Sequence, residues 1–200
     1  MSLAPGTAAF YDHWADHGEE NPRSAMSAQF EEVFAPGSRV LDVGCGKGRD
    51  LVALLDLGVD AYGVEPHAAM RAQALARDPR LAGRLADAAL PAIGAPFGGR
   101  FDGVVCSAVL MHVPPADVGA ALEAMAGLLR PAGRLLIALP EMRADRLADG
   151  RDPDGRAFFN HAPEEVERQL AALGLALRDA SASAPAGGGT LWRLLRFARA

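Results

Sequence analysis

Arg39-Val40-Leu41-Asp42-Val43-Gly44-Cys45-Gly46-Lys47-Gly48-Arg49-Asp50 is the stretch on which the fold of this 200-residue chain turns. Val40 to Val43 is a short apolar run of strand type. Glycines then alternate at 44, 46 and 48, and Leu51, Val52, Leu54 and Leu55 begin a helical period. The pattern is strand, tight turn, helix, the first half of a nucleotide-binding crossover unit. Glycine lets the backbone take positive φ and lets a bulky ligand come against the main chain where a Cβ would collide. The spacing is G-x-G-x-G, which differs from the G-x-G-x-x-G that sets a dinucleotide pyrophosphate on a helix N-terminus. Asp42 leads into the turn and Lys47 is the basic group inside it, a poor match to a phosphate and a good one to an ammonium or a hydroxyl.

Outward from the turn, Asp60 to Val64 reads as a second strand that stops at Glu65-Pro66. A carboxylate about 20 residues past the glycine turn is where a crossover unit places an acceptor for ribose hydroxyls. The plainer alternative is a solvated carboxylate at a strand end. A third strand, Gly83 to Ala86, is weakly marked and ends at Asp87-Ala88. Residues 88–100 are rich in Gly, Pro and Ala, so a helix there is expected to be short or lost. Phe101-Asp102-Gly103-Val104-Val105-Cys106-Ser107 is a fourth strand running into Ala108-Val109-Leu110-Met111-His112-Val113. Ligands in open α/β sheets bind outside the carboxyl ends of the strands at the switch point, so Ser107 to His112 are expected to line the site.

These segments together resemble the class I S-adenosylmethionine-dependent methyltransferases. The acidic residue followed by G-x-G-x-G matches their first motif, F-D-x-V followed by V-L-x-H-V matches the fourth strand and its continuation, and Leu129-Arg130-Pro131-Ala132-Gly133-Arg134-Leu135 matches L-(K/R)-P-G-G-x-L with Ala132 at the usual glycine. The resemblance covers about residues 38–198. It implies a three-layer Rossmann-like α/β fold with a seven-stranded, mostly parallel sheet in the order 3-2-1-4-5-7-6, strand 7 antiparallel. It also implies S-adenosyl-L-methionine as cofactor and S-adenosyl-L-homocysteine as product. The residues it places at the cofactor are Asp42, Gly44, Cys45, Gly46 and Gly48 in the first motif, Glu65 and Pro66 after strand 2, Asp87 and Ala88 after strand 3, Ser107 after strand 4, and Tyr11 from the N-terminal cap. Asp87 has a turn or capping role as its alternative.

The remaining elements follow from local pattern. Two helices are expected near 7–17 and 23–34, divided at Asn21-Pro22, and the resemblance implies that they cap the cofactor and form part of the substrate lid. Tyr11 and Trp14 either face the ligand or form the apolar stripe that holds the helix down. Helix 48–57 ends at Gly58, a helix follows His67 as far as about Arg77, and another runs from Pro114 to about Leu129 with Val118, Leu122, Met125 and Leu128/Leu129 as its inner face. Strand 5 covers 130–140. Residues 141–161 are charged and aperiodic, and so long a stretch inside a domain is usually functional or mobile. Phe158, Phe159, Asn160 and His161 at its end are expected to face inward, unless the phenylalanines only anchor the loop. Helix 164–173, strand 6 from Leu175, a turn at 186–189 and strand 7 at 191–198 complete one domain: lid 1–35, cofactor half 36–140, and substrate loop with closing hairpin 141–200.

Bulk properties narrow the function further. Fifty per cent hydrophobic and 22 % charged residues are ordinary globular values. A net charge of −5 and a pI near 5.5 argue against nucleic-acid partners, which need clustered positive charge. Cys45 and Cys106 give neither a disulfide framework nor a metal-ligand spacing, so no metal is expected and a reducing cytoplasm fits. Two cysteines also fall short of the thiolate set of a metalloid methyltransferase. No apolar run approaches a membrane span. The expected partner is a small-molecule acceptor of nitrogen or oxygen type, with the protein a monomer or homodimer.

For the chemistry, His112 is the first candidate for a general base, with a structural role as its alternative; His161 and His13 are weaker candidates. Trp14, His112, Phe158 and Phe159 are the expected acceptor contacts. Two other functions compete: a nicotinamide-dependent oxidoreductase, disfavoured by the glycine spacing and the closing hairpin, and a non-catalytic S-adenosylmethionine-binding protein.

Overall fold

The computed structural model describes residues 4–17, 24–183 and 190–199. Its centre is a seven-stranded sheet of β1 (Arg39–Val43), β2 (Asp60–Val64), β3 (Leu85–Ala86), β4 (Phe101–Ser107), β5 (Leu129–Glu141), β6 (Leu175–Ser183) and β7 (Leu191–Arg199). The order is β3-β2-β1-β4-β5-β7-β6. The first five strands run parallel to their neighbours, and β7 is antiparallel to both β5 and β6. Fold class and strand order are therefore as the resemblance implied.

The central strands β1, β4 and the 135–140 part of β5 are buried on both faces, which is why they read as near-continuous apolar runs rather than alternating ones. Successive residues point to opposite sides. Leu41, Val104, Leu135 and Phe197 join α5 (Val118–Gly127) and α6 (Pro163–Ala172) in one core, whereas Val40, Val105 and Leu136 join Phe30, Phe34, Leu51 and Leu54 in the other. Leu51 and Leu54 come from α3 (Arg49–Asp56), the helix after the glycine turn. The helix α4 (Ala68–Arg77) follows β2 and packs against α1 (Pro5–His17).

Several boundaries differ from expectation, each for a local reason. The N-terminal helix α1 is Pro5–His17, two residues longer at its start than expected. The second expected helix is broken into a 3₁₀ turn, Ser27–Gln29, and the single turn α2, Phe30–Val33. Ser24 and Ser27 explain the break. Each backbone N–H donates to the other's hydroxyl, at 3.1 and 2.9 Å, and such local bonds compete with the helical ladder. The expected division at Asn21-Pro22 and the turn at 186–189 lie outside the described residues. The helix after strand 4 begins at Val118 rather than Pro114, because Pro114 to Asp117 close a turn through Asp117 N–H to the Pro114 carbonyl, 2.9 Å. Leu129 belongs to β5, where Phe101 pairs with Leu129 and Gly103 with Arg134. The residues between loop out, and Ala132 takes φ 61°. A left-handed alanine costs roughly 1–2 kcal/mol, which is the physical reason for a glycine at that place. The third strand is only two residues long, and the 88–100 segment keeps a single 3₁₀ turn, Pro96–Gly98.

Candidate active site

A cavity of about 920 Å³ opens over the carboxyl ends of β1, β2 and β4, the switch point of the sheet. Its floor is the glycine turn. Gly44 has φ +69°, and a Cβ built on it would stand 2.4 Å from Val109 Cγ2, so any side chain there collides across the cavity floor. Gly48, also left-handed, caps the start of α3 against Leu81 and Ala74 and does not line the cavity. Of the residues expected at the cofactor, Asp42, Gly44, Cys45, Gly46, Glu65, Pro66, Ala88, Ser107 and Tyr11 line this one space, and Gly48 and Asp87 do not. Asp87 is turned outward, 69 % exposed, and pairs with Arg71 at 3.2 Å.

Two electrostatic features distinguish the floor. Asp42 is buried, and burial, with the neighbouring Asp50 carboxylate second, holds its carboxyl well above the usual carboxylate range. Asp50 accepts from the Ser24 hydroxyl at 3.0 Å and pairs with Arg49 Nε at 3.3 Å. Glu65 sits at the end of β2, accepting from the Gly46 N–H at 3.1 Å and the His67 N–H at 2.8 Å. Burial still raises its pKa despite both bonds. Burial pushes the Cys45 and Cys106 thiols up as well, so neither is a thiolate nucleophile at neutral pH.

This donor set fits S-adenosylmethionine. Buried carboxylates held above their ordinary pKa are ionised most readily by a nearby cation, and the cofactor brings an α-ammonium. Asp42 and Asp50 would hold that ammonium, Glu65 the ribose hydroxyls, and the side-chain-free turn at Gly44 and Gly46 the thioether chain. Ser24 and Asp50 escaped the sequence reading: an acidic residue in a helix's first turn is the ordinary response to the helix dipole, so Asp50 carried no separate signal.

The roof is built from α1 and the 142–161 loop. Thr7, fully buried, accepts from the Ala157 N–H at 2.8 Å. Trp14 lies under Lys47, whose Nζ is 5.6 Å from the indole centroid, and Asp12 pairs with His67 at 3.0 Å. The loop is shaped by Asp152, whose buried carboxylate accepts from the Asp154 and Arg156 N–H groups at 3.0 and 2.9 Å and from Arg156 Nε at 2.7 Å. That pairing lays the Arg156 guanidinium 4.3 Å over the Phe10 ring. Arg156, Met142 and Trp192 line the cavity; the sequence marks the 141–161 stretch as a whole, but only the folded loop and hairpin single out these three residues.

All four expected acceptor contacts, Trp14, His112, Phe158 and Phe159, line the cavity. Phe158 also anchors the loop, 2 % exposed against Met111 and Met142, so the two readings of that residue are compatible. Asn160 and His161 turn away from the cavity. Asn160 clasps the Met142 backbone through both its amide atoms at 3.0 and 2.7 Å, and His161 Nε2 donates to the Leu110 and Val113 carbonyls at 2.9 and 3.1 Å. His13 stacks on His17 at 4.5 Å, outside the cavity. His112 remains. Its Nδ1 lies 2.7 Å from the Ala157 carbonyl, which can only accept, so Nδ1 carries the proton. Nε2 then accepts from the Tyr11 hydroxyl at 2.9 Å. Burial lowers the His112 pKa, keeping the ring neutral.

No described helix is long and apolar enough to cross a membrane, and the described residues hold no cluster of metal-ligating side chains. A family model described as a methyltransferase domain matches residues 11–180. The ubiquinone biosynthesis O-methyltransferase of Xanthomonas campestris pv. campestris is 33 % identical over 138 residues, covering 65 % of this chain and 57 % of that protein. A demethylmenaquinone methyltransferase of Beutenbergia cavernae is 39 % identical over 104 residues, 52 % of this chain and 41 % of that one. The chain thus spans about half the length of these curated relatives. In fold it is similar to the Burkholderia thailandensis 1,6-didemethyltoxoflavin-N1-methyltransferase, solved with 1,6-didemethyltoxoflavin and S-adenosylhomocysteine, with a TM-score of 0.76 and 21 % identity over 100 % of this chain and 92 % of that one. With the sheet order, the glycine turn and the family match in agreement, the chain belongs to the class I S-adenosylmethionine-dependent methyltransferases.

Proposed function

We propose that this chain transfers a methyl group from S-adenosylmethionine to a nitrogen or oxygen atom of a small-molecule acceptor. The observation that carries the reading is one continuous cavity with the acidic floor of Asp42, Asp50 and Glu65 at one end and the neutral His112 ring, among Trp14, Phe158 and Phe159, at the other. When bound, the cofactor supplies an already activated methyl group, so the protein's part is position and electrostatics. Holding two reactants in attack geometry is worth roughly 7–11 kcal/mol, the larger share of such catalysis. The aromatic roof excludes water and aligns the acceptor. His112, neutral and lining the cavity with its Nε2 lone pair taken up by the Tyr11 hydroxyl, is the group that would finally hold the proton of an acceptor that must lose one. The O-methyltransferase relative supports the oxygen arm and the toxoflavin enzyme the nitrogen arm.

The test is calorimetry with S-adenosylmethionine together with detection of S-adenosylhomocysteine from a pool of small hydroxylated and amine acceptors. Losing the Glu65 charge should weaken cofactor binding by about 10–100-fold in Glu65→Gln, given roughly 1.5–3 kcal/mol for a hydrogen bond to a charged group. Wild-type affinity in Glu65→Gln would remove Glu65 from the site. Binding without any product across the pool would favour the non-catalytic reading.

A further inference from the structure

We infer that Tyr11, reaching down from α1, is the group that takes the acceptor's proton, and that it passes its own hydroxyl proton to His112. The inference rests on the methyl-transfer reading above and extends it to a substrate class, acceptors whose hydroxyl is un-ionised at neutral pH. Its ground is a geometric obstruction. Both ring nitrogens of His112 are already engaged, Nδ1 with the Ala157 carbonyl at 2.7 Å and Nε2 with the Tyr11 hydroxyl at 2.9 Å, the two rings meeting edge to face at 5.7 Å. An acceptor therefore cannot reach the base lone pair while α1 is in place. It meets Tyr11, which lines the same cavity.

The step balances. The acceptor O–H bond breaks and its proton bonds to the Tyr11 oxygen, while the Tyr11 O–H proton bonds to His112 Nε2. The products are an acceptor oxyanion, a neutral phenol and an imidazolium. The charged neighbours act in both senses. Arg156 faces Tyr11 and opposes the effect of burial on the phenol, and the buried Asp152 carboxylate favours a proton on His112 while Arg156 disfavours it. Glu65, on the floor, and Asp152 disfavour negative charge on Tyr11. The Ala157 carbonyl holds the Nδ1 proton throughout, so the ring has one direction in which to accept.

Two probes separate a relay from a packing role. With S-adenosylmethionine, catechol presents an un-ionised hydroxyl, and 4-nitrocatechol presents the same frame already ionised near neutral pH. In Tyr11→Phe we expect kcat for catechol to fall about 100-fold with KM changing little, the low end of the range for general base catalysis. For 4-nitrocatechol kcat should fall less than threefold. Equal losses on both phenols, or none on catechol, overturn the relay. The second probe needs no acceptor: ¹⁵N spectra of the histidine rings should show His112 as the Nδ1–H tautomer with Nε2 accepting, and Tyr11→Phe should move the Nε2 signal alone. A protonated Nε2 in the wild type, or an Nε2 signal unmoved in Tyr11→Phe, also overturns it. Failure of the methyl-transfer reading itself would look different, as absence of calorimetric S-adenosylmethionine binding.

Discussion

The floor and the roof of the cavity are made by different means. The floor is backbone: strand ends locked by sheet hydrogen bonds, a turn in which Gly44 and Gly46 are left-handed, and carboxylates buried behind it. The roof is side chains: Thr7 on Ala157, Tyr11 on His112, Asp12 on His67, Trp14 against Lys47. The contrast teaches that the geometry of the floor is inseparable from the stability of the whole domain, whereas the roof is expected to open at the cost of those side-chain contacts. Local openings below the global unfolding free energy are the normal behaviour of such elements.

The largest effect expected is on the floor. Gly44→Val places a branched side chain at φ +69°, with its Cβ 2.4 Å from Val109 Cγ2. Backbone strain and overpacking together should cost about 2–5 kcal/mol of global stability in urea unfolding. Adding Val109→Ala should return the overpacking share, and a double variant no more stable than the single one would show that Val109 is not what the turn packs on.

Next is the roof. Thr7→Val keeps the shape and removes the acceptor for the Ala157 N–H, a loss of about 1–3 kcal/mol for an unsatisfied group. The consequence should be local: faster amide exchange in α1 and residues 148–158, with β1 and β4 unchanged. Equal acceleration in β1 would erase the distinction between the two regions.

The smallest effect is a difference of sign with pH. The folded pKa of His112 lies below the ordinary imidazole value of 6.5, so its contribution is present above 6.5 and lost as pH falls and the opened form takes the proton first. Asp42 and Glu65 are raised above ordinary carboxylate values. The folded floor therefore keeps protons that the unfolded chain has released, and its stability declines as pH rises through and above that range. Amide exchange from pH 7 to 5.5 should loosen α1 while β1 and β4 hold, and His112→Gln should remove the roof's response. A uniform loss across both regions would break the comparison.

The same division governs what could be read in advance. Asp42, Gly44, Gly46 and Glu65 are spaced along a contiguous strand–turn–helix–strand unit, so local pattern alone brings them to one place. Asp87 has the right position after β3 but pairs outward with Arg71, a choice made by α4 and invisible in the strand's own residues. The expected second helix failed because two serines offered each other better bonds than the helix did. His161, a candidate base by residue type, instead donates to the Leu110 and Val113 carbonyls, fixing the 3₁₀ turn that carries Met111 and His112.

From sequence alone came most of the strands and the glycine turn, because these depend on hydrophobic period and glycine spacing, which act over a few residues, while the strand order and its closing hairpin came through the family resemblance. The tertiary structure alone decided that Tyr11 and His112, 101 residues apart, share a hydrogen bond. It also decided that Arg156 sits on Phe10 and that Asp50 joins Asp42. The Tyr11–His112 and Arg156–Phe10 contacts join segments with no common period, and only the packing of α1 and the 142–161 loop over the finished sheet brings them within reach.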